Sequence, residues 1–205
     1  MALETNKNLA GVGAILIVIS VLATFRVGYA SVLLLIGAIL LLIGMKGLAD
    51  DYHEPGIFNN ALYAVILVIV GVVAVGGVIV AGFLSAFSDL GLTAANWAEW
   101  SQILSDRLMN ISALWDFLAA IVIALVLLFV FVVVSVVFFR KSLSLLSAKS
   151  GIGLFGTAGL LMLIGAILTI IVIGFLLIWI GLILAAVAFF MIRPQSAQPP
   201  QATSV

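Results

Sequence analysis

From residue 150 to residue 192 the chain has no charged side chain, 43 consecutive positions dominated by Leu, Ile, Gly and Ala. As one straight helix this run would reach about 65 Å, roughly twice the ~30 Å hydrocarbon thickness of a bilayer. It therefore turns back on itself. Gly174, in "TIIVIGFLLIW", lies near the midpoint and is best able to take the open backbone angles of a tight turn. The run divides into spans at 154–172 and 175–192.

The same arithmetic applies elsewhere. The stretch 8–45 is nearly as long and carries "TFRVGYAS" in its middle, so it divides into 8–25 and 29–45. A cleaved signal peptide is the competing reading of the first part, because Lys7 precedes an apolar stretch and "GYA" could end one; Arg26 just before that point disfavours it. Residues 58–84 and 114–139 are each long enough to cross alone. Six spans result. Composition agrees: 66% of residues are apolar and 8% charged, and mean hydropathy is +1.46, whereas roughly a quarter of a soluble domain is charged. Unbroken apolar runs mean helices, since a barrel would need polar and apolar residues in alternation. The fold expected is all-α and polytopic, six transmembrane helices arranged as three α-hairpins, with the bilayer as the principal partner and no nucleic acid. There is no cysteine, which excludes disulfides, thiolate catalysis and thiolate metal sites.

The outer pairs of spans resemble each other. "LAGVGAILIVIS" (9–20) aligns with "LFGTAGLLMLIG" (154–165) through Leu9/Leu154, Gly11/Gly156, Leu16/Leu161 and Ile19/Ile164, and "LIGAIL" (35–40) with "WIGLIL" (179–184). An even number of intervening spans would set the copies parallel. With cytoplasmic termini, Lys7, Lys46, Arg140, Lys141, Lys149 and Arg193 fall inside and only Arg26 and Arg107 outside, in keeping with the positive-inside rule. The protein is thus expected in the cell membrane with both termini cytoplasmic. Residues 194–205, "PQSAQPPQATSV", form a polar, proline-rich tail of the kind that is normally disordered.

"ADDYHEPGIFNN" (49–60) holds the single histidine together with Asp50, Asp51 and Glu54. A His-carboxylate set can bind a divalent metal, but one histidine with no second nearby is poor metal chemistry. The connector in the equivalent place, "KSLSLLSAKSGIGLF" (141–155), has neither histidine nor acid. A solvated turn is therefore preferred over a metal or pH-sensing site at His53, and no metal or cofactor is expected.

Residues 85–113 make the one sizeable outer connection. Trp97, Trp100, Leu104, Leu108, Ile111 and Trp115 recur every three or four positions while Glu99, Gln102, Asp106 and Asn110 fall on other faces, which is amphipathic-helix periodicity. Asn96 with Glu99 reads as a capping start. A helix lying among the headgroups is preferred over a lid or docking face. With no glycine or proline from 93 to 150, this helix is expected to bend into the fourth span, which could continue to Gly151. "NIS" at Asn110 is a possible glycosylation sequon.

Span interiors hold no ionisable group; Asp116 is the nearest. Ion-coupled transport usually needs one. Ser20, Thr24, Asn59, Asn60, Tyr63, Ser135, Thr157 and Thr169 can satisfy themselves within or between helices. Paired aspartates, Gly-x-Ser-x-Gly and phosphate loops are lacking, so catalysis is not expected. Glycine is where the spans are distinctive. Gly77, Ala81 and Ser85 follow at four-residue spacing with Gly82 beside them, a pattern that lets helix backbones approach, and a neighbouring backbone is expected within ~6–8 Å of Gly77. Packing within the chain is preferred there over a seam between molecules. Three functions remain: a non-catalytic structural or accessory subunit, joined to a membrane-protein partner or to itself as a homo-oligomer; a passive pore or carrier for a small neutral solute; and, least supported, an enzyme.

Two long stretches carry a family resemblance: "LLIGAILLLIGMKGLADDYHEPGIFNNALYAVILVIVGV" and "SLSLLSAKSGIGLFGTAGLLMLIGAILTIIVIGFLLIWIGLILAAVAFFMIR". Together the chain, over about 8–193, resembles an uncharacterised, mostly archaeal family of multi-pass membrane proteins known only as a domain of unknown function. The resemblance implies an archaeal source and supplies no activity, cofactor or site residue.

Overall fold

A computed structural model describes residues 2–23, 30–107, 111–171 and 173–193. Among them the order is α1 (Ala2–Ala23), α2 (Ala30–Asp51), α3 (Pro55–Asp89), a 3₁₀ turn (Ala94–Glu99), α4 (Trp100–Arg107), α5 (Ile111–Ser150), α6 (Gly153–Ile167), a second 3₁₀ turn (Leu168–Ile171) and α7 (Ile173–Met191), with no strand. Six stretches are long and apolar enough to cross a membrane: Leu3–Ala23, Val32–Asp51, Pro55–Asp89, Phe117–Ser150, Gly153–Ile171 and Ile173–Met191. Helix is the form such runs must take in lipid, because it satisfies every backbone N–H and C=O internally.

Helix ends follow capping chemistry more closely than charge. The third helix runs beyond residue 84, through Ser85 to Asp89, and stops where Gly91 turns left-handed at φ +72°. There the Gly91 N–H donates to the Ser88 carbonyl and the Leu92 N–H to Phe87, both at 2.9 Å, with Leu92 buried beneath. That bond pair is a Schellman cap. In α5 the helix carries Arg140 and Lys141 without interruption and ends at Ser150, before Gly151 at φ +74°. The expected bend from the outer segment into this helix involves residues 108–110, outside the described set.

Gly174 does not make the turn between α6 and α7. That turn is the 3₁₀ segment Leu168–Ile171, and Gly174 already lies inside α7 with ordinary helical φ, buried. A Cβ there would fall on the Gly165 carbonyl and the Thr169 backbone. Its task is close approach, not backbone freedom.

The chain divides into two compact units, residues 1–65 with 135–205, and residues 66–134. In the first, α1 packs along α2, α6 along α7, and α1 against α7. Both pairs use one device. A Cβ on Gly37 of α2 would press on the Gly13 carbonyl and Ile17 of α1; a Cβ on Gly181 of α7 would press on the Ala158 carbonyl and Met162 of α6. Gly13/Ala158 and Ile17/Met162 are the pairs that the repeat alignment of residues 9–20 with 154–165 predicts. The last part of α5 then lies between α6 and α3. Its Arg140 stem borders Gly159, and its Ser135 and Ser142 hydroxyls donate to the Ala64 and Ile57 carbonyls. Lys46 of α2 stands over the Phe58 ring of α3. The unit has a packed core. Met45, Leu48, Ile57, Leu143, Leu146, Phe155, Phe189 and Ile192 are fully buried at its end nearest the termini, where Phe155 and Phe189 meet edge to face at 5.0 Å.

In the second unit α3 and α5 approach at small residues: a Cβ on Gly71 would meet the Phe131 side chain, and one on Gly82 would meet Ala120. Their outer faces are exposed apolar residues, among them Val72, Val73, Leu84, Val122 and Leu125.

Candidate functional site

The connector holding His53 is a helix cap. Tyr52, His53 and Glu54 leave α2 by donating their N–H groups to the Leu48, Asp50 and Ala49 carbonyls, and His53 sits at φ +54° in the left-handed position that glycine usually takes. Its side chain is exposed. Acids nearby are already engaged: Lys46 reaches Asp50 at 2.8 Å, Lys149 reaches Glu54 at 3.2 Å, and the Asn6 amide donates to Asp51 at 2.8 Å. No three His, Cys, Asp or Glu side chains among the described residues converge as metal ligands. Burial, with the Asp51 carboxylate adding to it, pushes the Tyr52 phenol above its ordinary value.

The small residues of α3 are divided between two faces. Gly82 faces Ala120, whereas Gly77, Ala81 and Ser85 are exposed, and a Cβ on Gly77 would meet nothing within 4 Å. No atom of the described chain therefore lies in direct contact with that face at Gly77. Helix phase explains this: Gly71 and Gly82, eleven residues or three turns apart, share the face turned to α5, and the four-residue series from Gly77 runs down another.

The segment between α3 and α5 is organised by Asn96. Its Oδ1 accepts the Thr93 N–H at 2.8 Å, the Thr93 hydroxyl at 3.0 Å and the Trp100 indole N–H at 3.1 Å, while its amide donates to the Gly91 carbonyl at 2.8 Å. Trp100 stands edge-on to Phe87 at 5.4 Å. The cap is therefore Thr93, with the helical turn starting at Ala94 and Asn96 at its third position, instead of a start at Asn96 with Glu99. The segment is two pieces, a 3₁₀ turn and α4. Trp97 and Trp115 are 72% and 65% exposed. Asn110 lies outside the described residues, as does Arg26.

Four polar side chains among the described residues are buried: Lys7, Ser20, Ser135 and Ser142. Lys7, only 9% exposed, donates to the Ile192 carbonyl at the end of α7 at 2.7 Å and pairs with Glu4 at 2.8 Å. Ser20 donates to Ile17, and Trp179 reaches across from α7 to the Val18 carbonyl at 3.2 Å. Asn60, Thr157 and Thr169 bond back along their own helices. Every described buried side-chain N or O has a partner. Ser142 and Lys7 escaped the sequence reading as interior contacts; Ser142 stands seven residues from Ser135, a spacing that does mark one helix face.

Residues 33–183 match the model of the DUF996 family, described as proteins of unknown function. The chain belongs to this family. It is 27% identical over 193 residues to an uncharacterised protein of Methanocaldococcus jannaschii, with 93% of each chain covered. No solved structure matches it. The archaeal relative and the family agree with the resemblance drawn from the two long apolar stretches.

Proposed function

We propose that this DUF996 protein is a non-catalytic scaffold of the cell membrane, six spans in three α-hairpins with both termini cytoplasmic, working as a structural or accessory subunit of a membrane assembly or as a homo-oligomer. The observation that carries this is the filled end of the six-helix unit. Eight large side chains and the Ser142 side chain are fully buried there, which supports a bundle built for packing over one built around a polar lumen. The described buried hydroxyls and Lys7 give their hydrogen bonds to backbone carbonyls of the bundle, which fits a structural use of polar groups in lipid. The orientation is supported by the six-to-two distribution of basic residues.

The test is the full chain reconstituted in vesicles, with chemical crosslinking and a small neutral-solute swelling assay run on one preparation. A defined oligomer or co-purified membrane partner, with swelling equal to that of empty vesicles, is the expected result. Swelling that scales with protein and an uncrosslinked monomer would establish the passive pore instead.

A further inference from the structure

The basic residues at the terminal end of the first unit are not treated alike by the fold. Lys7, Lys46 and Lys149 each have a carboxylate, Glu4, Asp50 and Glu54 respectively, within 2.8 to 3.2 Å. Arg140 and Lys141, adjacent on α5 and both exposed, have no carboxylate partner among the described residues, and neither does Arg193. The pair follows the charge-free run 117–139, whose 23 residues rise about 35 Å, the hydrocarbon thickness with a modest tilt. With that run across the bilayer, Arg140 and Lys141 emerge at the level of the lipid phosphates.

Both stems are held. The Arg140 Cα, Cβ and Cγ lie against the notch left by Gly159 of α6, where a Cβ would come within 3.1 to 3.5 Å of them. The Lys141 ammonium stands 5.4 Å from the Phe138 ring centroid, and that ring is braced edge-on by Tyr63 of α3 at 5.7 Å. The Tyr63 hydroxyl, on a half-exposed side chain, has no hydrogen-bond partner among the described residues. Pre-positioned stems reduce the rotamer entropy lost when the heads engage a ligand.

We infer that Arg140, on the flank of α5 toward α6, and Lys141, on the flank toward α3, each hold the phosphate of an anionic phospholipid in the adjoining leaflet. The headgroup supplies the counter-charge that the chain gives every paired lysine at this end but withholds here. Tyr63 lies beside the same stack as a further donor. The inference rests on the membrane location alone and stands whether the protein proves a scaffold or a pore.

The experiment is native mass spectrometry of the full chain released from micelles containing equal phosphatidylglycerol and phosphatidylcholine. The wild type should retain phosphatidylglycerol in preference, and Arg140→Gln with Lys141→Gln should lower that preference about tenfold, while Lys46→Gln and Lys149→Gln leave it intact. Lys141→Gln alone changes one exposed helical residue and should give an intermediate loss, so the test does not hang on folding of the double variant. A wild type without preference, or a folded double variant that keeps it, overturns the assignment. So does loss of the preference in excess inorganic phosphate, which would mean that the site reads free phosphate.

Discussion

The Ser142 hydroxyl donates to the Ile57 carbonyl, and Ser135, seven residues back along α5, donates to Ala64, seven residues further along α3, at 2.9 Å. Equal steps in opposite directions fix the antiparallel register of the two helices. Such bonds contribute on the order of 0.6 kcal/mol in membrane proteins and at most about 1.7. Ser142→Ala and Ser135→Ala should each lower stability within that range in unfolding titrations of the micellar protein. The double variant should lose the sum, because the sites are about two turns apart and share no partner.

His53 offers a change in the opposite direction. Its left-handed backbone is one that glycine adopts without a Cβ penalty, so His53→Gly should stabilise the protein by up to about 1 kcal/mol, read as a rise in melting temperature. His53→Ala should differ little from wild type, whereas His53→Val, β-branched at φ +54°, should melt lower.

The glycines separate into those that touch a backbone and those that do not. Gly44→Leu would drive a side chain onto the Ala10 backbone and should cost about 1–3 kcal/mol or abolish folding. Gly77→Leu meets open space, so the monomer in micelles should melt as wild type does. If Gly77→Leu leaves melting unchanged but dissociates a crosslinked oligomer in vesicles, the exposed face of α3 is the subunit seam.

Tyr52 sets an alkaline limit. A phenol whose pKa is raised on folding keeps its contribution below the unfolded value near 10 and loses it as pH rises through the folded value. Unfolding free energy should therefore fall above about pH 10, and Tyr52→Phe should flatten that part of the profile measured against wild type.

How much of this could be read from the sequence depended on what each residue does. Charge-free length is a property of the sequence alone, so all six apolar spans were legible. Helix ends were legible only in part: the continuation of α5 through Arg140 and Lys141 to Gly151 follows from the lack of glycine or proline after residue 93, whereas the stop of α3 at the left-handed Gly91, beyond the expected end at residue 84, was not read. Gly174 illustrates the same ambiguity: a glycine that admits a neighbouring backbone has the same letter as one that turns the chain. On α3 the small residues divide by phase: Gly82 meets Ala120, while the stripe Gly77, Ala81 and Ser85 states that a face is smooth and says nothing of which helix lies on it. At the connector, the reading of His53 as part of a turn agrees with the cap observed there, though its left-handed backbone is visible only in the structure.

The bond from Lys7 to the Ile192 carbonyl joins the first helix of the chain to the last. A ribosome delivers these two ends far apart in time: α1 enters the membrane while residue 192 has yet to be synthesised. Until α7 arrives, the Lys7 ammonium has only Glu4 and water, and α7 in turn has no partner for its terminal carbonyl before it docks. That corner of the unit therefore forms only after residue 192 has been made, however early α1 is in place.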